Sequence, residues 1–156
     1  MRIYPLSEGN FSIDSTKLFI PFDGEIQNRP PGSIIVQVQP FVVVTEKDII
    51  LLDTGLGYFN SQGILQIHAN LMAIGIDPSS VTKVFLSHLH KDHSGGISYL
   101  HPQHQERFIS FPYATYYIQK SEYDLALQSK ALPILPIRYR YWKRLVRCIG
   151  LHRKKG

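Results

Sequence analysis

Two rhythms of hydrophobic and polar positions run along this chain, and each predicts its own kind of element. Residues 1–33 read as a meandering opening segment. Phe11-Ser12-Ile13 and Lys17-Leu18-Phe19-Ile20 are short strand candidates, set between turn signals at Pro21, Asp23-Gly24 and Asn28-Arg29-Pro30-Pro31-Gly32. Ser33 to Gln39 alternates in part, with Ile34, Val36 and Val38 on one side and Gln37 and Gln39 on the other. That is the pattern of a half-buried strand, and Pro40 makes it an edge or a bulge. Phe41 to Thr45 continues as a strand. Glu46-Lys47-Asp48 is the polar turn of a hairpin, and Ile49-Ile50-Leu51-Leu52 is the apolar return. The rhythm then lengthens. Ile64, Ile67, Leu71 and Ile74 recur at three- and four-residue steps, predicting a helix over Ile64 to Ile74 that Gly75 ends. Asp77-Pro78 offers an N-cap followed by proline in the first helical position, so a short helical turn follows. Lys83 to Ser87 is again a strand. Ile97 to Leu100 is expected to continue a short helix after Gly95-Gly96, its N-terminus lending a positive dipole near bound anions. Ala114 to Gln119 reads as a strand by its β-branched and aromatic content, and Ser121 to Leu127 as a helix with an acidic first turn.

Composition narrows the class. The chain has 156 residues, enough for one domain with a core, and 44% hydrophobic with 19% charged residues suits a globular protein. The longest apolar run, around Phe41 to Val44, is too short to cross a bilayer, and Met1-Arg2-Ile3-Tyr4-Pro5 lacks a signal-peptide core, so no membrane association is expected. A single cysteine, Cys148, excludes an internal disulfide and suits a reducing, cytoplasmic setting. The net charge of +5 conceals an asymmetry. Residues 1–124 carry eight Lys/Arg against twelve Asp/Glu, whereas residues 125–156 carry nine Lys/Arg and no acid. Residues 1–130 are therefore read as the body and residues 131–156 as a basic tail, disordered or aberrant. Arg138-Tyr139-Arg140-Tyr141-Trp142-Lys143-Arg144 mixes cations with aromatics, as nucleic-acid contacts do. The preferred reading is an amphipathic helix end against the core, with nucleic acid not expected as a partner.

The chemistry is concentrated in Ser87-His88-Leu89-His90-Lys91-Asp92-His93-Ser94-Gly95-Gly96. Three imidazoles and a carboxylate fall within six residues, all ligands that Zn²⁺ accepts. If the chain is still extended at His88 and His90, residues two apart point the same way and both rings reach one ion. Asp92 and His93 follow where the backbone turns, and so can face a second ion. Gly95 and Gly96 allow close passage of the backbone. A His-rich polar loop is the bland alternative, and four ligand types at this spacing argue against it. His68, His101 and His104 read as ordinary helix or loop histidines, and Tyr116, Tyr117 and Tyr123 as core or rim. Asp53-Thr54-Gly55-Leu56-Gly57 follows a buried strand, where a carboxylate is either a turn cap or a support for ligands.

The His-x-His-x-Asp-His run, together with Asp53, resembles the metallo-β-lactamase-fold hydrolases, most closely the lactonase-type and general hydrolase branches. The resemblance covers about residues 30 to 128. It implies an α/β, layered fold: the N-terminal half of an αββα sandwich, a mixed and mostly antiparallel sheet with flanking helices. It implies that His88 and His90 hold one Zn²⁺-like ion, that Asp92 and His93 hold a second, and that Asp53 beneath them orients ligands. The implied reaction is attack by metal-activated water on an ester, lactone or amide-type bond of a small molecule, with Asp92 assisting proton transfer. Relatives of this kind take a further His, a bridging carboxylate and a final His from a second half. No Asp or Glu follows Asp124, and His152 stands among Arg and Lys, an improbable replacement. The expectation is a truncated or frameshifted product, a fragment, or a half-domain completed by a second chain. A non-catalytic remnant is the rival reading. A phosphodiesterase is a weaker one, supported only by the basic tail.

Overall fold

The computed structural model describes residues 1–101, 106–128 and 146–149. Three short strands open the chain: β1 (Arg2–Pro5), β2 (Gly9–Ile13) and β3 (Ile20–Pro21). Next come β4 (Ile34–Val38), β5 (Phe41–Val44) and β6 (Ile49–Leu52), then helix α1 (Gln66–Ala73). Strand β7 (Lys83–Leu86) leads into the four-residue helix α2 (Lys91–Ser94) and a 3₁₀ turn at Gly95–Ile97. After these lie β8 (Ser98–Leu100), β9 (Arg107–Ile109), β10 (Thr115–Gln119), α3 (Lys120–Gln128) and β11 (Val146–Ile149).

Six strands form the main sheet in the order β1-β5-β6-β7-β10-β11. The hairpin expected at Glu46-Lys47-Asp48 is present, closed by Thr45 N–H donating to Asp48 O at 2.9 Å, with β5 and β6 antiparallel. From β6 onward the main sheet is parallel, β6 with β7, β7 with β10 and β10 with β11. Parallel neighbours need crossovers, and α1 supplies the one between β6 and β7. Five of the eight strand pairings among the described residues are antiparallel, which makes a mixed, mostly antiparallel α/β arrangement. Strand β4 is an edge of a second sheet, β3-β2-β4, in keeping with the proline that follows it.

Alternation along the strands sorts the two faces of the main sheet. Tyr4, Val42, Leu51, Val84 and Tyr116 stand in register across five strands. Val42, Leu51, Val84 and Tyr116 are buried, in one cluster with Ile67 and Leu71 of α1. Each of these aliphatic side chains contributes about 1.5–3 kcal/mol by leaving water. The row on the other face runs Pro5, Phe41, Leu52, Phe85 and Tyr117. There the Phe85 and Tyr117 rings stack with centroids 4.5 Å apart, while Phe41 and Leu52 remain 37% and 38% exposed.

Three expectations need correction. Of Lys17 to Ile20 only Ile20 is in a strand, β3, which takes in Pro21 rather than turning there. Ile97 to Leu100 is not a helix. After the 3₁₀ turn, Ser98–Leu100 pairs antiparallel with Arg107–Ile109, so no helix dipole arises there. Within the segment read as a basic tail, Val146–Ile149 is a strand parallel to β10. The cation-aromatic run at residues 138–144, His104 and His152 lie outside the described residues.

Candidate metal centre

Parallel pairing brings the C-terminal ends of β6 and β7 side by side, the place where open α/β sheets collect ligand-binding groups. Asp53 leaves β6 there and the histidine loop leaves β7. The ladder runs one step past the strands, with Asp53 N–H donating to Phe85 O at 2.8 Å. Asp53 then takes a left-handed backbone, φ 61°, an arrangement Asp tolerates better than most residues. That turn aims its carboxylate at the neighbouring loop. Oδ1 accepts from Ser87 N–H at 2.7 Å, and Oδ2 accepts from Ser87 Oγ at 2.7 Å and pairs with His93 Nδ1 at 2.8 Å. Asp53 is therefore more than a turn cap.

The histidine loop is held by backbone as well. Thr54, fully buried, donates both N–H and Oγ1 to His93 O, at 2.7 and 3.1 Å. Gly96 N–H donates to Gly55 O at 3.1 Å. Gly95 and Gly96 permit this approach, since a Cβ on Gly95 would overlap Leu56 O and one on Gly96 would overlap Thr54 O. His90 is extended, φ −67° and ψ 153°, and its carbonyl accepts from Ser94 N–H and Oγ, both at 2.9 Å, starting α2.

The three rings of the loop lie close together, His88 nearer to His93 than to His90. The His88 and His90 rings lie 4.5 Å apart, and those of His88 and His93 lie 4.1 Å apart. Partial burial pushes the His88 pKa down, helped by the nearby His93 and His90 and opposed by Asp53 and Asp92. The neutral, ligand-competent imidazole is favoured. With His93 Nδ1 taken by Asp53, Nε2 is left facing Asp92 Oδ2 at 3.3 Å. Two N/O ligands on a tetrahedral zinc, each about 2.0–2.2 Å from it, stand about 3.4 Å apart. The Asp92–His93 pair thus has the donor chemistry and separation of two ligands on one ion. Three His, Cys, Asp or Glu groups do not converge on a common point among the described residues. Among the described residues, the one pair with a donor separation suited to a metal, Asp92–His93, is short of the three protein ligands a catalytic zinc takes.

A cleft of 110 Å³ adjoins this arm, lined by Gln37, Val38, Gln39, Pro40, Asp53, Asp92 and His93. His68 stands apart, as a packed histidine. Its Nε2 meets Ser110 O at 2.9 Å, its ring lies edge-on to Phe111 and Tyr99, and burial pushes its pKa down. His101 stays in its loop, its ring 5.7 Å from that of Phe108. Sequence reasoning did not single out Ser87 and Thr54 as supports. The signal for Ser87 was its place directly before the motif, and for Thr54 its place directly after Asp53.

Comparison with known proteins bears on the family and the fold. The family model described as the Metallo-beta-lactamase superfamily matches residues 34–153. A curated relative, the N-acyl homoserine lactonase AttM of Azorhizobium caulinodans, is 41% identical over 58 residues, 37% of this chain and 18% of that protein. Among solved structures, AidC, a dizinc quorum-quenching lactonase in complex with a product, superposes with a TM-score of 0.64 at 23% identity. The match covers 99% of this chain and 59% of AidC. The hydrolase AbOPH matches with a TM-score of 0.67 at 24% identity, over 96% of this chain and 58% of its own. The chain thus spans about three-fifths of these structures and less than a fifth of the matched curated lactonase.

Proposed function

The chain belongs to the metallo-beta-lactamase superfamily, and from that premise we propose that its histidine loop is half of a zinc centre for hydrolysing small esters or lactones. The observation that carries this reading is the Asp92–His93 pair. Its two donor atoms lie 3.3 Å apart, and the opposite ring nitrogen of His93 is already committed to Asp53. His88 and His90 would hold one ion, and Asp92 and His93 a second. When bound, such ions act as Lewis acids that lower the pKa of water and polarise a carbonyl.

The remaining work falls to the chain's own side chains. Asp53 fixes the His93 ring, so that Nε2 is the nitrogen presented outward. Ser87 braces the same carboxylate from the neighbouring strand end. The other carboxylate oxygen of Asp92, a residue that lines the cleft, would accept a proton from an attacking water and return it to a leaving alcohol. A small carbonyl substrate fits the cleft better than an extended polymer, and the lactonase among the curated relatives favours a lactone. The test is metal analysis combined with ester and lactone turnover. Bound zinc that is lost in the His88→Ala/His90→Ala double variant supports the reading. No uptake at stoichiometric zinc overturns it.

A second reading has its own observation. No three ligand-type side chains converge among the described residues, and an apolar row of the main sheet remains partly exposed. Both features suit a half-domain whose remaining ligands and covering layer come from a second chain. Turnover that appears only on mixing with a full-length relative inactivated at its own first-half ligands would favour this reading.

A further inference from the structure

Glu8 lies between β1 and β2, far from the histidine loop in sequence, yet it is only 7% exposed. A carboxylate this buried is usually paired with a cation or fully hydrogen-bonded. Glu8 is not. Oε2 accepts from Leu56 N–H at 2.8 Å, while Oε1 is buried with no partner. Burial pushes the carboxyl up to about 7, against the pull of the Leu56 N–H. Its backbone is pinned on both sides, with N–H donating to Val38 O at 2.8 Å and the carbonyl accepting from Tyr58 Oη at 2.9 Å.

The carboxyl group fills the space beneath Gly55, where any Cβ would overlap it. Gly55 has φ 69°, between Asp53 at 61° and Gly57 at 73°. This loop, with three left-handed residues in five, therefore wraps over one buried carboxyl. Gly55 and the two residues before it do the holding described above: Asp53 pairs with His93 Nδ1, Thr54 donates to His93 O and Gly55 O accepts from Gly96 N–H. We infer that Glu8 is a positioning residue for the metal-binding arm, its carboxyl holding the Asp53–Gly57 loop in the shape that orients His93. The inference rests on the proposed metal centre for its consequence, but its geometric content is independent of metal.

The experiment uses the full chain and two readouts. Zinc affinity is measured by competition with a chromophoric chelator. In the metal-free protein, the ring N–H resonance of His93, hydrogen-bonded to Asp53, is followed by NMR with ¹⁵N-labelled histidine. Glu8→Gln keeps an acceptor for Leu56 N–H and is expected to retain the resonance and bind zinc within about threefold of wild type. Glu8→Ala is expected to lose the resonance and about tenfold or more in affinity, the range for removing support from a ligand. Leu71→Ala, a core change in α1, is the control and should leave zinc affinity unaltered in the folded protein. A folded Glu8→Ala that keeps both the resonance and the affinity overturns the inference, as does an equal loss of affinity in Leu71→Ala. Should Glu8→Ala fail to fold, Glu8→Asp carries the test by withdrawing the carboxyl one methylene, and wild-type behaviour in that variant overturns the inference. If wild type takes up no zinc, the metal reading falls, while the His93 resonance still decides the role of Glu8.

Discussion

Asp53 shows how much one residue can organise. Its carboxylate serves three donors, two from Ser87 and one from His93. Asp53→Asn keeps the shape but exchanges one acceptor oxygen for an N–H donor, so at least one of the three loses its partner. Zinc affinity should fall about 10- to 100-fold, the usual cost of removing a ligand's support, as read by chelator competition. Glu8 gives a pH signature. Its folded value of about 7 lies above the ordinary 4.5, so its contribution to stability is fully present below about pH 4.5 and is lost as pH rises through 7. The difference is worth about 3 kcal/mol. Urea denaturation of the metal-free chain at pH 5 and 8.5 should therefore show wild type losing stability relative to Glu8→Gln by roughly that amount. At this scale the candidate ligands were legible in the sequence as a cluster, because His88, His90, Asp92 and His93 are neighbours along the chain. The supports were not. Glu8 meets Leu56 across 48 residues, Thr54 meets His93 across 39 and Asp53 meets Ser87 across 34, separations that no local pattern encodes.

Elements were legible where period and boundary signals agreed. The β5–β6 hairpin declared itself by apolar runs around a polar turn. Helix α1 did so by its three- and four-residue steps and by Gly75, whose φ of 78° suits a helix end. That periodicity makes a sharp prediction. Leu71 is fully buried against the sheet, whereas Met72, next to it, is 46% exposed. Leu71→Ala should cost about 2–5 kcal/mol by thermal or chemical denaturation, and Met72→Ala less than about 1 kcal/mol. Strand β8 was misread because Ser98-Tyr99-Leu100 is too short to display a period, and the preceding glycines suggested a turn of helix; its pairing with β9 decides its form. Strand β11 was hidden by its cation-rich context. Tertiary pairing with β10, rather than propensity, makes Val146-Arg147-Cys148-Ile149 extended. Close passage of two loops is an element-level feature too. Gly96→Ala would drive a methyl into Thr54 O and should cost at least about 2 kcal/mol while loosening the histidine loop, a loss that denaturation and zinc affinity should report together.

At the scale of the whole molecule, the two faces of the main sheet are unequal. One is filled by α1 and the buried row from Val42 to Tyr116. The other carries Phe41, Leu52, Phe85 and Tyr117 in a line, apolar and partly open to water, on the same sheet whose strand ends present Asp53 and the histidine loop. In the half-domain reading this apolar row is the surface that associates. Covering it and supplying the third ligands not found among the described residues are, in that reading, the work of the same second layer. Phe41 and Leu52 face each other across the β5–β6 pair, so Phe41→Lys with Leu52→Glu places opposite charges on directly opposed positions, which a sheet tolerates. The fold should survive, because Val42 and Leu51 on the buried face are untouched. Self-association of the isolated chain, followed by sedimentation across a concentration series, should weaken in the double variant. Its metal affinity measured alone should not change, since neither side chain is a ligand. If wild type stays monomeric at every concentration and the variant behaves identically, this face is not an associating surface, and the half-domain reading loses its structural support while the proposed metal pair at Asp92 and His93 stands on its own geometry.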